Sequence, residues 1–165
     1  MATARVVLIR SSSIVDELEQ VHHRISERAY ERYRTSDGCG TPDEDWRKAE
    51  RELFWQPAVE VRRKDSRFEV RAAVAGVDAK DLSITVSPEH LVIRGNGAHV
   101  HQASDVTVHS CEFSGGQLFR VVRFPEPVVP EDVTAECRNG LLTVIAPLPG
   151  SRPATRPVDK ARSRR

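Results

Sequence analysis

The spacing of the hydrophobic residues divides the chain into a helical part and a β-rich part. From Ser13 to about Arg34, apolar residues recur every three or four positions, as they do on one face of an α-helix. A second such stripe covers about 42–54, after Thr41, which can cap a helix that starts with Pro42. The pattern therefore predicts a helical hairpin. The apolar stripes of the hairpin and an apolar run near the N-terminus together form a predicted apolar N-terminal face. Its residues are Val7, Ile9, Ile14, Leu18, Val21, Ile25, Trp46 and Leu53.

From Trp55 onward the apolar residues alternate with a period of two. Short alternating runs occur around 59–61, 68–72, 82–86, 90–95 and 118–124, with turn residues between them. This arrangement predicts a mainly β fold, an immunoglobulin-like antiparallel β-sandwich of about seven or eight strands. The predicted domains are an N-terminal region at 1–54, the sandwich at 55–147 and a tail at 148–165.

Asn139 and Gly140 mark a β-hairpin in the last third of the sandwich. Alternating apolar residues precede the pair up to Cys137 and follow it from Leu142. Asn and Gly tolerate the positive φ angles that a two-residue hairpin turn requires. We therefore expect two adjacent strands here, each with one buried face.

The composition and charge exclude several classes of protein. The formal net charge is +1, so the chain as a whole carries no electrostatic signature of nucleic-acid or membrane binding. No apolar run approaches the length of a membrane span, and the N-terminal apolar run is too short for the core of a signal peptide. The three cysteines are widely spaced, without C-x-x-C, which argues against a disulfide framework. We expect a cytoplasmic protein.

No catalytic or metal-binding pattern accompanies these elements. The sequence has neither a P-loop nor a glycine-rich dinucleotide fingerprint, and no clustered histidines, cysteines and acids at metal-ligand spacing. Cys137 alternates with apolar residues and is interpreted as a buried small hydrophobe. We therefore predict no enzymatic activity, no cofactor and no metal.

Three motifs, in order along the chain, carry a resemblance to a known family. The first is Ala73-x-Ala75-Gly76 followed by Asp81-Leu82. The second is Arg120-x-x-Arg123-Phe124-Pro125, which ends a strand, and the third is the hairpin Ala135-x-x-x-Asn139-Gly140-x-Leu142. Together they resemble the α-crystallin domain of small heat shock proteins (Hsp20) over roughly 55–147. Upstream, the helical hairpin is similar to a short bacterial motif of unknown function.

The resemblance implies a function without catalysis. It implies an ATP-independent holdase chaperone that binds unfolding proteins under stress and forms a homodimer and higher homo-oligomers. It implies a groove for clients or partners at Leu82, Ile84, Val86 and Thr134. It also implies that the insert 96–115 carries a strand exchanged between subunits, with Val106, Val108, Glu112 and Arg120 at the dimer interface. For Arg120, an ordinary surface arginine is the alternative.

The two ends of the chain leave alternatives open. Val7-Leu8-Ile9 is either part of a disordered tail or a segment that docks on a sheet edge with Val7 and Ile9. The C-terminal tail has six basic residues and one acid after Ser151, and we expect it to be disordered. It is either a solvated extension or a weak ligand for acidic partners. The tail has Val158 alone where the family usually has two branched residues that link dimers. We therefore expect Val7 and Ile9 to form the stronger link between dimers and Val158 a minor one.

Two rival functions remain beside the holdase. One is a non-enzymatic co-chaperone or scaffold that binds a folded partner. The other is a small enzyme, against which the missing acid–base and metal patterns argue.

Overall fold

The structure is a computed structural model that describes residues 6–11, 13–35, 40–97, 107, 109–110 and 116–151. Two helices precede most of the strands: α1, Val15–Thr35, and α2, Pro42–Leu53. The strands are β1, Val7–Arg10; β2, Phe54–Trp55; β3, Val59–Lys64; β4, Arg67–Ala73; β5, Leu82–Val86; β6, His90–Gly97; β7, Gly116–Arg123; β8, Thr134–Arg138; and β9, Leu141–Pro147. Short 3-10 helices lie at Ala79–Asp81 and Pro130–Asp132.

The strands form two sheets that enclose the main core. One sheet has the order β3-β4-β9-β8 and is antiparallel throughout. The other has the order β1-β5-β6-β7-β2, with parallel pairs at both of its edges. Apolar side chains from both sheets, among them Val70, Leu91, Leu118 and Val144, are buried in one cluster. The predicted β-sandwich and the helices before it are confirmed.

The helical hairpin packs at the β7 end of the second sheet. Thr41 caps α2 through a capping box with Glu44, as the sequence indicates. Val21 and Ile25 of α1 pack with Ala49 and Phe54 in a second, smaller cluster that Phe119 of β7 joins. The Phe54 and Phe119 rings lie 5.7 Å apart. The hairpin is thereby joined to the sandwich by apolar contacts within one chain.

The turn between β8 and β9 has the backbone that the sequence predicts. Asn139 has φ 49° and Gly140 has φ 74°, so both central residues adopt positive φ. A Cβ atom on Gly140 would lie 3.0 Å from the Cα of Ala75. Glycine is therefore required here by conformation and by space.

Two short strands at the edges were not part of the predicted sandwich. The structure adopts the docked alternative for the N-terminal apolar run, which becomes β1, and it adds β2 directly after α2. The exchanged strand predicted within 96–115 and the disordered tail fall largely or wholly outside the described residues. The proposed division into domains at 54 and 147 stays a prediction.

Candidate functional site

The edge of β5 is the place where the predicted groove and the N-terminal segment meet. β1 pairs with β5 in parallel register, from Val7 opposite Ser83 to Arg10 opposite Val86. The pairing continues past the strand, because the Ser11 N–H donates to the Val86 carbonyl at 2.9 Å. An exposed strand edge is a template for a further strand, and here the chain's own N-terminal segment covers it.

The side chains of β1 face in the opposite phase from the one that the sequence led us to expect. Val6 is 7% exposed and belongs to the main core, and Leu8 packs against that core. Val7 and Ile9 are 51% and 45% exposed. Within the chain, the inward pair is therefore Val6-x-Leu8 and not Val7-x-Ile9. The role of Val7 and Ile9 as a link between dimers stays a prediction. Residues 6–9 are all apolar, so their sequence contains no alternation from which the phase could be read.

β1 also bridges the two walls of the predicted groove. The Arg10 Nε donates to the Pro130 carbonyl at 3.1 Å, and Pro130 begins the 3-10 helix that leads into β8. Thr134 lies exposed on β8, the edge strand of the first sheet. In contrast, Leu82, Ile84 and Val86 are fully buried in the main core. Three of the four residues predicted as groove walls thus lie on β5, the strand whose edge β1 covers, and their side chains point into the core. Thr134 lies apart from them, on the edge strand of the other sheet.

The first turn of α1 is fastened to the same strand. The Thr85 hydroxyl donates to Glu17 Oε1 at 2.5 Å, and Arg94 on β6 lies 3.7 Å from Glu17 Oε2. Thr85 is 2% exposed. Two elements therefore contact β5: β1 pairs with its edge, and α1 binds Thr85 through Glu17. No local pattern in the sequence indicates the Glu17 contact, because Thr85 lies 68 residues further along the chain.

The predicted apolar N-terminal face is for the most part closed within the chain. Ile14, Val21 and Ile25 are buried, and Trp46 and Leu53 are half-buried. All of these except Ile14 belong to the cluster that joins the hairpin to β7. Leu18 is 37% exposed and Val15 is 53% exposed. The exposed large apolar or aromatic side chains of this region are therefore those of Val7, Ile9, Val15, Leu18, Tyr30 and Tyr33, and the first two lie on the outer side of β1.

Only one of the four predicted dimer-interface residues is described. Arg120 on β7 donates from Nη1 to Gln56 Oε1 at 2.6 Å. Its Nε is buried and has no hydrogen-bond partner among the described residues. Val106, Val108 and Glu112 lie outside the described residues, and the Arg120 contact lies within one chain. The interface role of all four residues therefore stays a prediction.

The described residues offer little reactive chemistry. Cys137 is 7% exposed, and burial raises the pKa of its thiol above the usual range. A neutral, buried thiol is a poor nucleophile, which agrees with its interpretation as a small core residue. Within the described ranges, no three His, Cys, Asp or Glu side chains gather as metal ligands would. Neither described helix is long and apolar enough to cross a membrane.

Comparison with known families matches both parts of the chain. Residues 60–159 match the model of the Hsp20/alpha crystallin family, which is more than half of the 165 residues. Residues 20–54, which include α2 and most of α1, match a family of proteins of unknown function, DUF2934. Both resemblances inferred from the sequence motifs are confirmed.

Individual relatives agree with these matches. Spore protein SP21 from Stigmatella aurantiaca is 30% identical over 61% of this chain and 58% of its own length. A 17.4 kDa class I heat shock protein from Arabidopsis thaliana is 28% identical over 64% of this chain and 69% of its own. The chain thus spans less than two thirds of the first of these relatives.

Solved structures share the fold. Heat shock protein 16.0 from Schizosaccharomyces pombe superimposes with a TM-score of 0.55 at 20% identity, over 62% of this chain and 94% of that one. HSP18.5 from E. histolytica superimposes with a TM-score of 0.52 at 22% identity, over 62% of this chain and 96% of that one. At 20–22% identity, this structural similarity establishes only that the chain shares the β-sandwich fold.

Proposed function

The chain belongs to the Hsp20/alpha crystallin family, and we propose that it is an ATP-independent holdase. Family membership supports a chaperone role. In our proposal, the chain binds exposed apolar segments of unfolding proteins and slows their aggregation under stress. It acts in the cytoplasm as a homodimer or larger homo-oligomer, without nucleotide, cofactor or catalytic step.

The observation that carries this proposal is the parallel pairing of β1 with the edge of β5. Extended peptide segments bind proteins by adding a strand to an exposed edge, where alternate side chains enter apolar sites. β1 does this within the chain, because its backbone pairs with β5 while Val6 enters the core and the partly buried Leu8 packs against it. The same edge and the same two apolar sites suit an extended, apolar client segment when β1 leaves.

The contacts of β1 are few enough for such an exchange. The strand has four residues, and three of their side chains, those of Val7, Ile9 and Arg10, are exposed. Full burial of two aliphatic side chains is worth about 3–6 kcal/mol before the cost of ordering the segment. Val6 and Leu8 contribute less than this, because Leu8 is only partly buried. Local opening of an edge strand of this kind requires less free energy than global unfolding. A client segment can then compete with β1 for the edge.

Selectivity for unfolding proteins follows from the same geometry. A strand can add to β5 only if its backbone N–H and C=O groups are unpaired and its apolar side chains are free. Folded proteins satisfy both groups internally, whereas unfolding proteins do not. A protein that binds the unfolded state better than the native state holds it without consuming nucleotide.

Light scattering of a heat-denatured client tests the proposal directly. We expect the full chain, at substoichiometric to equimolar amounts and without nucleotide, to reduce client aggregation, and size-exclusion chromatography to show a dimer or larger species. Undiminished aggregation would overturn the holdase proposal. A stable monomer that leaves aggregation unchanged but captures a folded protein would instead indicate the co-chaperone or scaffold.

A further inference from the structure

The helical hairpin has an aromatic groove that the holdase proposal does not use. It lies between the second half of α1 and the first turns of α2, has a volume of about 380 Å³, and is called the hairpin groove here. Its walls are Ser26, Ala29, Tyr30, Tyr33, Pro42, Asp45 and Trp46. Tyr30 is 62% exposed, so one aromatic side of the groove is open to solvent.

The groove contains a buried acid that is incompletely paired. Asp45 is 4% exposed, and its Oδ2 has no hydrogen-bond partner among the described residues. Arg32 is the nearest cation, but its Nε lies 3.9 Å from Oδ1, beyond hydrogen-bond distance. The Arg32 Nη1 bonds Glu52 instead. A buried carboxylate oxygen without a donor is costly, and an incoming guanidinium would satisfy it.

The groove therefore suits a ligand that combines proline with arginine. Aromatic-lined grooves bind proline-rich segments, whose extended conformation is already populated before binding. An arginine adds cation–π contacts with the faces of tyrosine and tryptophan rings and a charge-assisted hydrogen bond to a carboxylate. The ring of Trp46 is also supported by His22, whose centroid lies 4.8 Å away.

The chain itself carries such a ligand. Its last 14 residues contain Arg-Pro twice, at 152–153 and 156–157, and have a net charge of 6 − 1 = +5. In an extended polyproline conformation they reach about 43 Å, at about 3.1 Å per residue. We propose that the hairpin groove binds an Arg-Pro dipeptide of the C-terminal tail. The arginine approaches Asp45, and the proline packs on Tyr30 and Trp46.

Photo-crosslinking in the full chain tests this proposal. The photoreactive residue p-benzoylphenylalanine replaces Tyr30 in one variant and Val61, an exposed residue of β3 in the other sheet, in a second. We expect position 30, but not position 61, to crosslink mainly to peptides from 152–165. Mixing with an isotope-labelled chain shows whether the tail comes from the same or a neighbouring copy; either source supports the proposal.

Charge variants separate the proposed contact from general attraction of a basic tail. Asp45→Asn removes the buried charge at nearly constant shape and should lower the crosslink yield at least threefold. Asp43→Asn removes an exposed charge from the same first turn of α2 and should leave the yield unchanged. If Asp45→Asn fails to fold, the double variant Arg152→Glu, Arg156→Glu replaces it and should lower the yield similarly. Equal crosslinking from positions 30 and 61, no effect of the available charge variant, or crosslinks mainly to another segment would each overturn the proposal.

Discussion

The side chain of Arg10 donates a hydrogen bond of 3.1 Å to the carbonyl of Pro130 and thereby connects β1 in one sheet to the segment before β8 in the other. This bond is exposed, so alone it contributes little stability. Its importance lies in its position, because it spans the opening between the two sheets. Together with the inward side chains of β1, it defines how the chain covers its own sheet edge.

The phase of β1 can be tested with two neighbouring substitutions. Leu8→Asp places a charge against the core and should release β1, at a cost of about 1–2 kcal/mol. Ile9→Asp, the matched control on the outer side, should have little effect. In Leu8→Asp, but not in Ile9→Asp, hydrogen exchange should accelerate at the β5 amides that pair with β1. Equal exchange in both variants would contradict the assigned phase.

Gly140 should be among the least tolerant positions in the sandwich. Gly140→Val combines an unfavourable positive φ with a contact of 3.0 Å to the backbone of Ala75. Gly76→Val is the matched control, because Gly76 has φ 87° but open space around its Cβ position. We expect the melting temperature to fall in both variants and to fall further in Gly140→Val. Equal losses would mean that the contact with Ala75 is unimportant.

The Arg62–Glu69 pair across β3 and β4 should make a pH-dependent contribution. A hydrogen bond from Arg62, at 2.7 Å, lowers the pKa of Glu69 below its ordinary value. The stabilisation is therefore present above the unfolded pKa of about 4.3 and is lost as the pH falls through the folded pKa.

Thermal melts of Glu69→Gln check this sign. Its deficit in melting temperature relative to the unsubstituted chain should be present at about pH 7 and shrink towards about pH 2. Glu131→Gln, which removes an exposed acid elsewhere, serves as the control. A deficit that is constant over this range would show that the carboxylate charge is not involved.

The sequence predicted those parts of the fold that depend on local spacing. The Asn139-Gly140 turn, the capping box at Thr41 and the alternation in β4, β8 and β9 are all encoded within a few residues. Those features require only the preferences of neighbouring residues. The strands and helices they predict therefore agree with the structure.

The features that define the candidate site depend instead on distant partners. The phase of β1 is set by the core against which Val6 packs, and a run of four apolar residues does not specify it. The burial of Asp45 depends on how α1 packs against α2, so the helical pattern could not reveal it. The dimer-interface residues Val106, Val108 and Glu112 lie outside the described residues and remain predictions.

The central claim is that unfolding clients compete with β1 for the edge of β5. Client aggregation measured by light scattering, against increasing amounts of the unsubstituted chain, Leu8→Asp and Ile9→Asp, tests it most directly. Each chain is first heated alone to confirm that it does not scatter light. We predict that Leu8→Asp, with β1 released, suppresses aggregation at a lower ratio of chaperone to client than the other two. Suppression that is equal or weaker for Leu8→Asp would contradict the account.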